Sequence, residues 1–479
     1  MKILLHAFGT FAITMRHLVE EMRAIAPDIE WAVVLPTGHQ RHVFRDVIPD
    51  RDILCLEDVQ PRRTDRNPDL SQLRGYWGNV FLDVETEKRT FKHLPASEQL
   101  GRAVDIYRAY KDFAVATGAT HILISQIEHY EGKMLVAVGH ELGLEVMVPV
   151  PARTLGGTFY ASDAVETLPP QRRATPKLVE RATAFVRQYR ETGAAAAPLP
   201  KHYDPSDEVL PNFRQPLAVR TLRYVARTLR HPETFERDHL RASLLNNLPR
   251  LRDTIWAIRA RIAAKEYDVD DFNALPKRFV YYPLQTTPES SINTPAPYFV
   301  DQLRAIDAIR FAMPNDCLLV VKEHPSSIIT RPVGFVRALR RRAGVVVAHY
   351  RMSSRDLVMR AACTLSVTGT ATLEAFLLGR PSLVLGPSLI ASYLGGVCPI
   401  DQLRPRLVAS MSRPPTDDEV ITAAAEILSV SRDFTFVAPG YHGEPALRRR
   451  NIRIMSRALL ERVGHPAAAD NRVSVDHVA

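Results

Sequence analysis

No stretch of about 18 uncharged apolar residues occurs anywhere in this chain, and a membrane-spanning helix is not expected. Cysteine is scarce, limited to Cys55, Cys317, Cys363 and Cys398. These are scattered, without a C-x-x-C spacing, and Cys317 and Cys363 lie in apolar, strand-like runs. That pattern predicts reduced thiols in a cytoplasmic protein, not a disulfide framework. Metal-site patterns are missing as well: there is neither H-E-x-x-H nor a Cys/His cluster, and no metal is predicted. The first turn, His6-Ala7-Phe8-Gly9-Thr10, lacks the full G-x-G-x-x-G of a dinucleotide fingerprint. Basic residues outnumber acidic ones by 62 to 53, which favours anionic partners in general. Nowhere do they interleave with aromatics as in a recognisable nucleic-acid module, so nucleic acid is not an expected partner. MKILLHAFGTF has one lysine and no small-residue cleavage site, and reads as a first strand better than as a signal peptide.

What is present is the composition of an ordinary globular protein, 46% hydrophobic and 24% charged, at a length of 479 residues that suits two domains. The first 150 residues alternate. Strands are predicted at 2–8, 29–36, 120–126 and 144–150, with helices at 11–26, 97–118 and 133–143. The rhythm is clearer later. Strands at 279–284, 317–324, 345–349, 364–369 and 381–386 alternate with helices at 298–313, 334–344, 354–362 and 370–379. Successive βα units imply parallel sheets. The expected organisation is an α/β, GT-B-like pair of Rossmann-like, doubly wound domains facing a cleft, with a helical insertion between them. Residues 1–194 form the first domain, 195–275 a linker and Arg-rich helical insertion, 276–440 the second domain, and 441–479 a C-terminal helix and frayed tail. The basic face of the insertion has two readings: a solvated helix face, or a contact with an anionic inner-membrane surface or glycan. The expected location is cytoplasmic, or the inner face of the cytoplasmic membrane.

In open α/β sheets ligands collect at the C-terminal ends of strands, and three such ends in the second domain are rich in polar groups. The first gives Gln285-Thr286-Thr287-Pro288-Glu289, the second Lys322-Glu323-His324-Pro325-Ser326-Ser327, and a third Ser366-Val367-Thr368-Gly369-Thr370 with Glu374 a turn later. Gly369 permits a tight turn, Thr368 and Thr370 supply hydroxyls, and the following helix offers free N–H groups. That combination suits a phosphate. Glu374 can accept from ribose hydroxyls, or else pair on the surface while Thr370 caps the helix. His324 can donate to a phosphate oxygen or act as a general acid, with Pro325 rigidifying the turn. If the strand continues through Lys322 and Glu323, they point to opposite faces and at most one shares the site with His324. In the first domain the strand ending Gln126-Ile127-Glu128-His129-Tyr130-Glu131 places acids beside an imidazole, which suits a general base for an acceptor hydroxyl.

Taken together, YYPLQTTPESS, VKEHPSS and SVTGTATLEAFLLGRPSLVLG resemble the capsular polysaccharide biosynthesis family, which includes β-Kdo transferases of the GT-B fold, over residues 279–397. SQIEHYEG followed by LEVMVPV is similar to that family's N-terminal half. His-Pro and the Gly-x-x-x-x-Glu block also occur in related UDP-sugar 2-epimerases. The first block departs from the family's FPLHYQPE in having Tyr282 and Gln285-Thr286-Thr287. The resemblance implies a nucleotide-sugar donor, CMP- or another NDP-sugar, held in the second domain, with no other cofactor. A glycan or lipid-linked acceptor would approach from the first domain. It implies that His324, Ser366, Thr368, Gly369, Thr370 and Glu374, with Lys322, Pro325 and Ser326 beside them, grip the nucleotide and its phosphate. Gln285 and Glu289 would lie nearer the sugar. His324 would stabilise the leaving nucleotide while Glu128 or Glu131, with His129 between them, deprotonates the acceptor; a carboxylate nucleophile in a double displacement is an equal alternative. The implied activity is a metal-independent glycosyltransferase of bacterial capsule or surface polysaccharide synthesis, handling Kdo or a related acidic sugar. The alternatives are a nucleotide-sugar epimerase or hydrolase, or a non-catalytic glycan-binding or export-associated protein.

Overall fold

A computed structural model describes residues 1–9, 11–36, 38–59, 68–76, 78–86, 95–125, 127, 130–168, 174–193, 266–287, 289–324, 327, 331–332, 334–436 and 447–469. The chain divides into two compact units, Met1–Phe185 with Asn293–Pro297 and Ile421–Ala479, and Val186–Ile292 with Tyr298–Val420.

The first unit is built on a six-stranded sheet of order β3-β2-β1-β4-β5-β6. Its strands are β1 (Lys2–His6), β2 (Glu30–Leu35), β3 (Ile53–Cys55), β4 (His121–Ile124), β5 (Glu145–Pro151) and β6 (Thr158–Ala161). β1 to β5 are parallel, and β6 closes the edge antiparallel to β5. Their near-continuous burial is what helices on both faces of a parallel sheet require. Helices α1 (Phe11–Ile25), α2 (Val80–Thr86), α3 (Ala96–Thr117) and α4 (Tyr130–Glu141) fill the crossovers. α3 stops at Gly118, whose φ of +68° is the left-handed conformation that ends a helix at low cost for glycine. The sequence pattern missed β3 and β6. Both are only three or four residues long, and neither has room to show a period.

The second unit carries a five-stranded parallel sheet of order β11-β10-β7-β8-β9. The strands are β7 (Phe279–Pro283), β8 (Leu318–Lys322), β9 (Val345–Ala348), β10 (Cys363–Ser366) and β11 (Ser382–Val384). Counted from β7, the order is 3-2-1-4-5, a doubly wound sheet whose direction reverses between β7 and β10. The chain enters this unit along α5 (Pro176–Thr192). Its crossovers are α6 (Gln302–Ala312), α7 (Phe335–Arg340), α8 (Ser354–Arg360) and α9 (Thr370–Leu377), followed by α10 (Leu403–Ser412); α11 (Asp417–Val430) begins in this unit and continues into the first from Ile421. Asp301 and Ser353 cap α6 and α8, their side chains accepting from Leu303 N and Asp356 N. The expected class, two Rossmann-like α/β domains, is what the chain adopts. The expected helical insertion falls almost wholly within residues 194–265, outside the described residues.

The C-terminal helix belongs to the first unit, and most of the expected tail, residues 470–479, lies outside the described residues. α12 (Arg449–Arg462) packs on α1, and its Ile452, Met455, Leu459 and Leu460 join the core of the first unit with Met15, Leu18 and Met22. Each of those side chains contributes about 1.5–3 kcal/mol of burial, which accounts for the return of the chain to the first unit. Thr158 on β6 strengthens the attachment by bridging to Arg432 and donating from Oγ1 to the Phe434 carbonyl at 2.7 Å. All four cysteines are buried and free. No helix among the described residues is long and apolar enough to cross a membrane.

Candidate functional site

β10, β7 and β8 are neighbours in the second sheet, so the three polar strand ends singled out in the sequence are adjacent in space. A reversal of this kind is where the segments following the strands of a doubly wound sheet diverge and a crevice ordinarily forms at the strand ends. Gln285 spans that point. It is buried, its backbone N–H donates to Gln302 Oε1 at 3.1 Å, and Tyr282 Oη donates to the same oxygen at 3.1 Å. With its carboxamide oriented to satisfy both ends, Gln285 Oε1 accepts from Gly369 N at 2.7 Å, Thr368 N at 3.0 Å and Thr368 Oγ1 at 3.1 Å. The amides of Thr368 and Gly369 are therefore turned onto Gln285.

Ser366 is likewise occupied within the turn. Its Oγ accepts from Gly369 N at 3.0 Å and lies 3.2 Å from Thr372 Oγ1, which donates to the Gly369 carbonyl at 2.8 Å. Ser366 and Thr372 brace the turn from inside. What the turn presents outward is the start of α9, where Gly369 is the N-cap and no side chain caps the helix. The amides of Thr370 and Ala371 belong to the first turn and have no intrahelical acceptor. Thr370 is exposed, and Glu374 lies four residues on, on the same face of α9, half-buried.

Gly369 has φ −74° and ψ 147°, a conformation open to any residue. What requires glycine is space: an added Cβ would meet the Gln285 amide at 3.1 Å and Ser366 at 3.4 Å. Gly369→Ala is expected to displace Gln285 and cost about 1–2 kcal/mol of stability, read from the urea midpoint. An unchanged midpoint would mean that the Gln285 contact yields freely.

β8 ends at Lys322, so strand alternation does not carry on to Glu323. Lys322 turns inward, is buried, and donates from Nζ to the Tyr350 carbonyl at 3.4 Å. Burial lowers its pKa to about 8, against the opposing pull of Glu323 and Glu374. Glu323 folds the other way, onto Arg331. Arg331 Nε donates to Glu323 Oε2 at 2.9 Å and Nη2 to Oε1 at 3.2 Å, and both side chains are nearly excluded from solvent. The same guanidinium donates from Nη1 to Thr287 Oγ1 at 2.7 Å and from Nη2 to the Gln285 carbonyl. It also sits over the Phe335 ring at 5.1 Å. Arg331 thus ties the β7 end to the β8 end. The strand does not continue through Glu323, so the condition under which Lys322 and Glu323 would point to opposite faces is not met.

His324 is half-buried just beyond, its N–H donating to Glu323 Oε1 at 2.8 Å. Burial, then Lys322 and Arg331, push its pKa down to about 4. The ring is neutral near pH 7, and it meets an anion through an N–H hydrogen bond instead of a positive charge. Burial likewise raises Glu374 to about 6, opposed by Arg355 and Lys322. Glu289 is half-buried at the start of the single turn Ser290–Asn293. Pro325 and Ser326 lie outside the described residues, as do Glu128 and His129. Sequence reasoning missed Arg331, since a lone arginine in IITRPVG carries no periodic or motif signal.

In the first unit, Glu131 is in the first turn of α4 and buried. Burial, and then the Glu131 carboxylate, push the Tyr110 phenol well above its usual range. Two residues on, Lys133 forms a buried ion pair with Asp83, to which Tyr76 Oη also donates, and Lys133 Nζ donates to the Asn293 carbonyl at 3.1 Å. Thr294 Oγ1 reaches the Ile127 carbonyl at the β4 end. The sequence expectation of Glu131 as a general base for an acceptor hydroxyl thus falls on a buried side chain. Among the described residues no group of three His, Cys, Asp or Glu side chains is placed to hold a metal ion.

No protein-family model matches the chain, and no curated protein matches it. Among solved structures it is similar to Thermosulfurimonas dismutans KpsC, a beta Kdo 2,7 transferase. That match has 14% identity and a TM-score of 0.33, over 66% of this chain and 80% of that one. It is also similar to the UDP-GlcNAc 2-epimerase of Methanocaldococcus jannaschii in complex with UDP-GlcNAc and UDP, at 9% identity and a TM-score of 0.27, over 89% and 99%. The UDP-GlcNAc 2-epimerase of Neisseria meningitidis bound to UDP-GlcNAc matches at 11% identity and a TM-score of 0.23, over 96% and 100%.

Proposed function

We propose that this chain is a glycosyltransferase that takes a sugar, Kdo or a related acidic sugar, from a nucleotide-sugar donor to a glycan or lipid-linked acceptor in bacterial surface-polysaccharide synthesis. The observation that carries the reading is the switch point of the second sheet. An uncapped helix N-terminus follows β10 there, a buried lysine and a half-buried histidine stand at the end of β8 on the other side of β7, and a half-buried carboxylate lies one turn along the same helix. This set matches a nucleotide's phosphate and ribose. The Thr370 and Ala371 amides and the α9 dipole receive the phosphate, with Lys322 adding charge. His324 donates a hydrogen bond to the leaving phosphate oxygen. Glu374 accepts from the ribose hydroxyls. Gln285, Ser366, Thr368 and Gly369 hold the turn that aims those amides, and Glu289 is left for the sugar.

A thermal-shift screen against CMP-, UDP-, GDP- and dTDP-sugars tests the reading. The right donor at about 100 times its dissociation constant adds about 2.7 kcal/mol of stability, and no response to any of the four would remove it. One observation favours a second reading, a nucleotide-sugar epimerase or hydrolase: Glu131, the base expected for an acceptor hydroxyl, is buried. Incubating the enzyme with donor alone separates the two. A glycosyltransferase leaves the donor sugar's configuration intact without acceptor, whereas an epimerase inverts one centre and a hydrolase releases free sugar.

A further inference from the structure

Arg331 is buried, and its guanidinium reaches two of the three polar strand ends directly and the third through a single side chain. At the β8 end its Nε and Nη2 hold both oxygens of Glu323, at 2.9 and 3.2 Å. One of those oxygens, Oε1, is shared, and accepts from His324 N at 2.8 Å. The His324 carbonyl accepts from Ser327 N at 2.9 Å, and the Ser327 carbonyl from Arg331 N at 3.0 Å. Side chain and backbone of Arg331 thus close a ring of contacts through Glu323, His324 and Ser327. The His324 peptide groups are held from both sides.

At the β7 end, Nη1 donates to Thr287 Oγ1 at 2.7 Å and Nη2 to the Gln285 carbonyl. Gln285 is the residue whose side chain takes the Thr368 and Gly369 amides ahead of α9, so the β10 turn is joined at one remove. Beyond Arg331, the Pro332 carbonyl accepts from Phe335 N at 3.0 Å, and the Phe335 ring lies 5.1 Å from the guanidinium carbon. The four side-chain hydrogen bonds leave from three nitrogens of one rigid plane. An ion pair that served stability alone would need Glu323 and nothing else. A lysine here would keep the charge but, as a point donor, could not span two strand ends.

We propose that Arg331 is the positioning residue of the candidate nucleotide site, fixing the His324 backbone at the end of β8 and, through Gln285, the turn before α9, so that the two stand in a set relation across β7. The proposal rests on the nucleotide reading of the strand ends. Donors fixed before a ligand arrives need no ordering when it binds. The state of the ring reports the state of the turn. Burial is the largest cause of the low His324 pKa, and the charges facing it, Lys322 and Arg331, come after. A loosened turn lets water reach the imidazole and returns it toward the ordinary value of about 6.5.

Arg331→Lys is the discriminating variant, because it keeps the cation beside Glu323 and removes the fork. The His324 resonance is followed by proton NMR in the full chain, and is assigned by its absence from His324→Asn. In wild type the ring titrates at about 4; in Arg331→Lys it is expected to titrate about one unit higher or more. UDP, CMP, GDP and dTDP are titrated calorimetrically in parallel. Whichever of them wild type binds is expected to bind Arg331→Lys about tenfold more weakly. The double variant Arg331→Met with Glu323→Leu, an apolar pair in place of the buried charges, is expected to show the same weakening. A His324 pKa in Arg331→Lys equal to that of wild type overturns the proposal, as does wild-type affinity in either variant. If wild type binds none of the four nucleotides, the nucleotide reading fails, and the His324 titration, which needs no ligand, still decides the role of Arg331.

Discussion

Arg331→Met is expected to lower the stability of the second unit by about 3–5 kcal/mol, the cost of leaving a buried carboxylate without its cation. Glu323 is nearly excluded from water and keeps the His324 N–H as a donor once the guanidinium is removed. The Gln285 carbonyl and Thr287 Oγ1 lose their donor in the same step. Urea unfolding followed by a probe in the second unit checks this through the transition midpoint. The double variant Arg331→Met with Glu323→Leu should recover a large part of the loss, because replacing both partners of a buried pair by apolar groups is often close to neutral. A loss below about 1 kcal/mol in the single variant would mean that water reaches Glu323 freely. Recovery of stability in the double variant without recovery of donor binding would place Arg331 in the geometry of the site as well as in its stability, since it fixes the relation of the β7 and β8 ends.

The strand ends that matter were legible because parallel strands buried on both faces are written as apolar runs, and polar residues interrupt them only where the strand stops. LLVVK followed by Glu323-His324, and CTLS followed by Thr368-Gly369-Thr370, are visible for that reason. What the polar groups do at those positions was not legible. Gln285 reads as a sugar-side residue in sequence, yet it closes over the Thr368 and Gly369 amides, a contact across 83 residues that only the sheet order creates. Arg331 gave no signal, because an arginine bound to one buried carboxylate has the same local sequence as a solvated one. The return of α12 to the first unit was hidden for another reason: its amphipathic pattern shows that one face is buried, not which core buries it.

His324→Asn and Glu374→Gln are expected to change the pH dependence of stability in opposite senses. The His324 pKa is about 4 in the folded protein and about 6.5 unfolded. Between those values the unfolded chain binds the extra proton, so this group's contribution is present above pH 6.5 and is lost as pH falls to 4, on the order of 3 kcal/mol. Glu374 is raised to about 6 from a reference near 4.3. In its window the folded state binds the extra proton, and its contribution is present at low pH and lost as pH rises through about 6, on the order of 2 kcal/mol. The two windows overlap, and in wild type they largely cancel near pH 5. Relative to wild type, His324→Asn should gain stability as pH falls from 6.5 to 4, and Glu374→Gln should gain it as pH rises from about 4.5 to 6. Guanidinium or urea midpoints at half-unit pH steps measure both difference curves. If both are flat, neither side chain is desolvated to the degree its surroundings require. The linkage also couples to ligand. A phosphate at the α9 turn stabilises protonated His324 by direct attraction, and an ionised Glu374 is stabilised by the hydroxyls it accepts from. Saturating nucleotide should therefore pull the two apparent pKa values together, narrowing the His324 window from below and the Glu374 window from above. A donor that shifted only one of them would bind at one end of the site and not across it.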